Sequence, residues 1–171
     1  MTNDQASFML SFLLPDVEEE AKITRRVIAA IPAGKGDYAP DPVSRKAIDL
    51  AWHLAASEIW FLDSMAKGAF APDEIPLPPD VKASADVVAW YDRRLPAGIQ
   101  KVKAITPEKL AGAVDFFGMV QLPLVMYLSF LVKHSVHHRG QLSAYLRPMG
   151  AKVPNIYGGS ADEPMELLAS A

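Results

Sequence analysis

The sequence predicts an all-α protein, a four-helix bundle forming one domain over residues 1–171. Three observations carry the prediction. Four long helix-like stretches are separated by connections rich in proline and glycine. The second stretch is apolar around most of its circumference, as the central helix of a bundle must be. The alternating apolar pattern of strands is weak throughout, which leaves helix-on-helix packing as the layer architecture.

The first helix opens at Thr2-Asn3-Asp4-Gln5, a capping box. Leu10, Leu13, Leu14, Val17, Ala21, Val27, Ile28 and Ile31 then recur near a 3.6-residue period. Pro15 must either kink this helix or mark its true first turn, and Pro32, Gly34, Gly36, Pro40 and Pro42 end it in a loop. The second helix is expected over Ser44 to Lys67, a run rich in alanine and leucine with neither glycine nor proline. After a connection containing Pro72, Pro76, Pro78 and Pro79, a third helix is expected over Ser84 to Ile105, bent at Pro96. Thr106-Pro107-Glu108 reads as a cap with proline at the first helical position, so a short helical turn should precede Gly112. Ala113 to Met119 alternates weakly and is compatible with extended chain. The fourth long helix is expected from near Pro123 to Arg147, stopped by Pro148 and Gly150; the tail is loop-like to Pro164 and ends in a short helical segment.

The totals exclude several functions. There is no cysteine, hence no disulfide framework, thiolate ligand or cysteine nucleophile, and a bound metal must rest on nitrogen and oxygen. A net charge of -3 without any Lys/Arg block excludes a nucleic-acid footprint. The apolar run Phe8 to Leu14 has no basic residue before it and no small-residue cleavage site after it, unlike a signal peptide. No apolar run reaches the ~20 residues that a membrane span needs. The expected setting is the cytoplasm.

Three of the four histidines fall within KHSVHHRGQL, residues Lys133 to Leu142. On a helix, successive side chains turn by about 100°. With His134 at zero, Tyr127 and Tyr145 lie near roughly 20°, His138 near 40°, Leu131 near 60°, Leu124 and Leu142 near 80° and Leu128 near 120°, so His138 sits inside the apolar stripe and His134 at its edge. His137 falls near -60°, outside the stripe, by the same geometry. Histidines four apart on one face can share a cation, as in the zinc motif HExxH; here Ser135 stands where that motif has its glutamate, so a protease of that type is excluded. The fourth histidine, His53, lies midway along the apolar second helix. Three imidazoles from two packed helices have the ligand count of a catalytic metal site with an open position. The competing reading is a polar pair at the bundle edge with His53 as a core histidine holding one hydrogen bond. Glu18-Glu19-Glu20 reads as a solvated face, Ser57 lacks an acid partner, and Trp52, Trp60 and Phe61 read as core. Tyr145 shares the histidine stripe, as a pocket wall or as a core residue with its hydroxyl at the rim.

YAPDPVSRKAIDLAWHLAASE (Tyr38 to Glu58), HSVHHRGQLSAYLRPMG (His134 to Gly150) and VPNIYGG (Val153 to Gly159), in that order, resemble the DinB/YfiT-like family of helical-bundle metalloproteins. The resemblance spans nearly the whole chain. It implies a bundle in which His53, His134 and His138 hold a divalent ion, with no ligand role for His137, and it implies a homodimer. It also implies a metal-dependent transferase or hydrolase acting on a small molecule, since characterised members include enzymes that use low-molecular-weight thiols such as bacillithiol or mycothiol. Nickel, zinc and ferrous iron all accept imidazole ligands. A metal-binding or interaction bundle without catalysis is the alternative. Catalytic and substrate-binding residues are not identified by the sequence.

Overall fold

Thr2 caps the first helix: its hydroxyl accepts from the Gln5 backbone N–H (3.2 Å), and the Gln5 side chain accepts from the Thr2 N–H (2.9 Å). From there α1 runs unbroken over Asn3–Ala29, so Pro15 lies inside the helix and does not mark its first turn. In the computed structural model, residues 1–72 and 75–165 are described, and the short helical segment expected at the end of the tail lies outside them. The second helix, α2, covers Ala47–Lys67, three residues later than the Ser44 start expected from composition. Its first turn is set by the preceding loop, whose Tyr38 and Gly36 carbonyls accept the N–H groups of Ala47 (2.8 Å) and Ile48 (2.9 Å). Gly68 ends it in the left-handed conformation at φ 74°, where glycine carries no Cβ penalty.

The remaining elements are α3 (Ser84–Lys103), α4 (Pro107–Ala111), β1 (Ala113–Phe116), β2 (Val120–Pro123), a 3₁₀ turn (Leu124–Met126) and α5 (Tyr127–Leu146). The strands form an antiparallel hairpin in which Ala113 faces Pro123 and Phe116 faces Val120. Its turn holds Phe117 at φ 58° and Gly118 at φ 70°, and the Asp115 carboxylate accepts from the Gly118 N–H (2.9 Å). The all-α class is borne out, with this hairpin as its sole sheet among the described residues. The weak alternation over Ala113 to Met119 is thus the first strand and the turn. Tyr127 ties the hairpin to α5 by donating its hydroxyl to the Val114 carbonyl (2.7 Å).

The four long helices pack as a ring in which α2 lies between α3 and α5, and α1 lies between the same two. Helix α2 approaches α3 closely at Gly98, where an added Cβ would stand 3.0 Å from Leu62 Cδ1. Two apolar clusters fill the bundle, one at each end. Ile28, Leu54, Val87 and Leu146 belong to the first, and Val17, Leu62, Val102 and Leu128 to the second. Among the described residues no helix is long and apolar enough to cross a membrane.

Between the two clusters runs a buried polar layer that corrects an expectation. Glu20, read as part of a solvated face, is buried, and its partner Arg139 on α5 is 1% exposed. The Arg139 guanidinium donates to the Glu20 carboxylate, the Glu20 carbonyl (3.0 Å) and the Tyr157 hydroxyl. Removing one partner of such a pair leaves an uncompensated buried charge, which is why the two helices are held in one register. Alongside, Glu58 on α2 is 1% exposed and accepts from the hydroxyls of Tyr91 on α3 and Thr24 on α1 (3.1 Å). Ser135 Oγ lies near the same carboxylate without closing a hydrogen bond of its own.

Burial raises the Glu58 carboxyl above its ordinary value of 4.5, against the opposing donation from Tyr91 and Thr24 and the nearby charge of Arg139. A raised native value means that the folded state holds the proton where the unfolded chain has released it. This contribution to stability is complete below 4.5 and is lost as pH rises toward the native value. Urea denaturation of the wild type and of Glu58→Gln between acid and mildly alkaline pH should therefore diverge. Relative to the variant, the wild type should lose stability with rising pH at up to about 1.4 kcal/mol per pH unit within that window. A pH-independent difference between the two would show that Glu58 titrates normally.

Candidate metal centre

His53 comes from the middle of α2, and His134 and His138 come from the facing side of α5. The histidine spacing brings both α5 side chains to one face, and the packing of α5 against α2 brings that face to His53. One ring nitrogen from each of the three lies within 4.8 Å of the other two. The Nε2 atoms of His53 and His138 are 3.2 Å apart. That is close to the separation of two ligands on a tetrahedral ion with metal–nitrogen bonds of ~2.0–2.1 Å. His137 lies outside the group; its ring packs edge-on against His138 at 4.8 Å between centroids.

The donor set suits a cation. A metal needs neutral imidazole. Burial, followed by the nearby rings of His138 and His53, holds His134 down at about 3. Burial also lowers His138, against the hydrogen bond it donates to Gln141. The Gln141 carbonyl oxygen lies 2.8 Å from His138 Nδ1 and can only accept, so Nδ1 carries the proton and Nε2 turns its lone pair toward the other two rings. The Gln141 amide is oriented in turn by His137 Nε2 at 3.2 Å. His134 Nδ1 is buried without a hydrogen-bond partner among the described residues, a position that costs about 1–3 kcal/mol unless something satisfies it. The group could therefore hold a metal ion.

Beside the imidazoles opens a cavity of about 610 Å³, a volume suited to a small molecule. His53 and His134 form part of its wall, together with Trp52, Trp60 and Phe61. Trp52 and Phe61 are buried as the sequence led us to expect, yet all three aromatic residues also face this space. The hairpin closes one side with Phe116 and Phe117, and the Phe117 ring stacks on Trp60 at 6.1 Å and 23°. Arg45, Asp49 and Ser57 also line the cavity, and none of the first two was singled out from sequence. Their signal is their spacing, since Arg45, Asp49 and Ser57 stand at multiples of four residues from His53. Tyr145 is not in this wall; it packs edge-on against Tyr38 at 5.7 Å.

Comparison with known proteins agrees with this architecture. The family model described as the DinB family matches residues 4–166. The uncharacterized protein YrdA of Bacillus subtilis (strain 168) is 34% identical over 117 residues, 67% of each chain. Among solved structures, a DinB-like protein from Bacillus cereus ATCC 10987 matches with a TM-score of 0.71 and 23% identity, over 85% of this chain and 95% of that one. A DinB-like protein from Bacillus subtilis matches with a TM-score of 0.68 and 19% identity, over 84% and 96%. With its helical bundle and a family match over nearly its whole length, the chain belongs to the DinB family.

Proposed function

We propose that this chain is a metal-dependent enzyme in which His53, His134 and His138 hold a divalent nickel, zinc or iron ion. The observation that carries the reading is the meeting of three imidazoles from two helices, their ring nitrogens within 4.8 Å, beside a cavity large enough for a substrate. Such an ion lowers the pKa of a thiol or water and so supplies a nucleophile at neutral pH. The reaction class this favours is thiol transfer or hydrolysis on a small molecule. Gln141 keeps the His138 lone pair directed at the site, and burial keeps His134 unprotonated at physiological pH. Trp60, Phe116 and Phe117 exclude water from one side, and Ser57 offers a hydroxyl one turn along α2 from His53. Phe8 and Phe12, exposed one turn apart on α1, support assembly as a homodimer.

Metal analysis of tag-free protein after dialysis should find a stoichiometric divalent ion, or stoichiometric uptake when nickel, zinc or ferrous iron is offered. His53→Ala, His134→Ala and His138→Ala should each abolish that uptake while the helical circular dichroism persists. Protein that takes up none of the three ions defeats the proposal. The cobalt-substituted form should change its visible spectrum when cysteine is added; an unchanged spectrum would favour a metal-binding bundle without catalysis. Gln141→Ala should retain the site but weaken metal binding roughly 10–100-fold, the usual cost of losing an outer partner of a ligating histidine. Calorimetric titration of the ion into metal-free protein measures it, and an unchanged affinity would mean that Gln141 does not set the tautomer.

A further inference from the structure

Arg45, in the loop just before α2, and Asp49, in its first turn, are the two charged residues in the cavity wall and are of opposite sign. Neither forms a hydrogen bond or an ion pair among the described residues. Arg25, Arg26, Arg94, Arg139 and Arg147 each hold a carboxylate, whereas the exposed Arg45 holds none. Lys46, which lies between the two in sequence, is taken by Asp37 at 2.7 Å. Arg45 thus leaves its guanidinium, and Asp49 its carboxylate, to whatever enters the cavity. The positive charge of Arg45 is felt at both His134 and His138, so the ionic end of the cavity lies close to the imidazoles.

The remaining wall is of the opposite character. Trp52, Trp60, Phe61, Leu77, Phe116 and Phe117 present aromatic and aliphatic surface. Phe117 is held there at φ 58°, a left-handed conformation that costs a non-glycine residue about 1–2 kcal/mol. The tight turn that Phe117 shares with Gly118 imposes this conformation, and it leaves the residue 39% exposed with its ring stacked on Trp60 at the cavity wall.

A simple carboxylate drawn in by Arg45 would be repelled by Asp49, and a simple amine drawn in by Asp49 would be repelled by Arg45. A molecule carrying both charges on neighbouring atoms satisfies both. We propose that the cavity takes an amphipathic zwitterion, an amino-acid-type headgroup with its carboxylate on Arg45 and its ammonium on Asp49, joined to an apolar or aromatic body against Trp60, Phe116 and Phe117. The reacting end of such a molecule rests on the metal site proposed above; the headgroup and the body rest on the cavity alone.

Three probes that share one aromatic body separate the charges: homophenylalanine, phenylbutyrate, which lacks the amine, and phenylpropylamine, which lacks the carboxylate. Binding to metal-free and to zinc-treated protein is read by calorimetry and by tryptophan fluorescence, since two of the three tryptophans, Trp52 and Trp60, face the cavity. Homophenylalanine should bind metal-free protein at least about tenfold more tightly than either partial probe, one charge-assisted contact more in each case. Arg45→Gln should reduce homophenylalanine to the level of phenylpropylamine, and Asp49→Asn should reduce it to the level of phenylbutyrate. Circular dichroism should match the wild type in both variants, because neither side chain forms a hydrogen bond or ion pair in the fold and Asp49→Asn gives up only a favourable charge in the first turn of α2. Equal binding of the three probes, binding of none, or an unchanged order in either variant overturns the proposal. Failure to take up zinc with the probe order intact sinks the metal reading alone.

Discussion

Arg139 sets the rotational phase of α5, and the site depends on that phase. A guanidinium only 1% exposed cannot turn away from its partners without becoming an unpaired buried charge, a change that costs several kcal/mol. Its partners, Glu20 and Thr24 on α1 and Tyr157 in the tail, fix the direction in which residue 139 points. Each step along the helix turns the side chain by about 100°, so His138 is directed away from α1 and toward α2. Ser135, one turn before Arg139, faces the interior with it, and His134 accordingly falls on the side of His138. The three imidazoles thus meet because a residue without any role in their chemistry is locked behind them.

The fold was legible in sequence wherever its determinants are local. Thr2 with Gln5, Thr106 with Pro107, and the positions of Gly68 and Gly150 act within one turn of chain, and each marks a helix end in the structure. The α2 start was misplaced because its first N–H groups are satisfied by Gly36 and Tyr38, a loop contact with no signature in the helix itself. The hairpin was only faintly visible for a related reason. Its turn places a phenylalanine at positive φ where hairpins usually show Asn-Gly or Asp-Gly, and its strands are anchored by Tyr127 from α5.

The site divides the same way. Helical periodicity alone selected His134 and His138 and set His137 aside, and the structure groups the first two with His53. Charge defeated the same method. Glu20, Glu58 and Arg139 look like surface residues one helix at a time, and they become core only by meeting across helices, Glu20 and Arg139 over a separation of 119 residues. Arg45 and Asp49 lie in register with His53 but precede or open the apolar run, where charged residues attract no notice. Periodicity reports which face a residue occupies; it does not report which charges on different faces will be neutralised by one another.

The polar residues of the bundle fall into two compartments with opposite economies of hydrogen bonding. In the buried layer Arg139, Glu20, Thr24, Tyr91 and Glu58 bond to one another, with the hydroxyl of the exposed Tyr157 joining from the tail; the exceptions are the Ser135 hydroxyl and a carboxyl that burial inclines toward its neutral form. Around the cavity the pattern reverses. His134 keeps an unpaired nitrogen, and Arg45 before α2 and Asp49 in its first turn form no ion pair with each other. Arg139 is satisfied from two separate elements, α1 and the tail, whereas the exposed Arg45 pairs with no carboxylate. Unpaired groups that line one space, with aromatic walls on the other side, are better understood as a surface completed by an ion and a ligand than as a failure of the fold to complete itself.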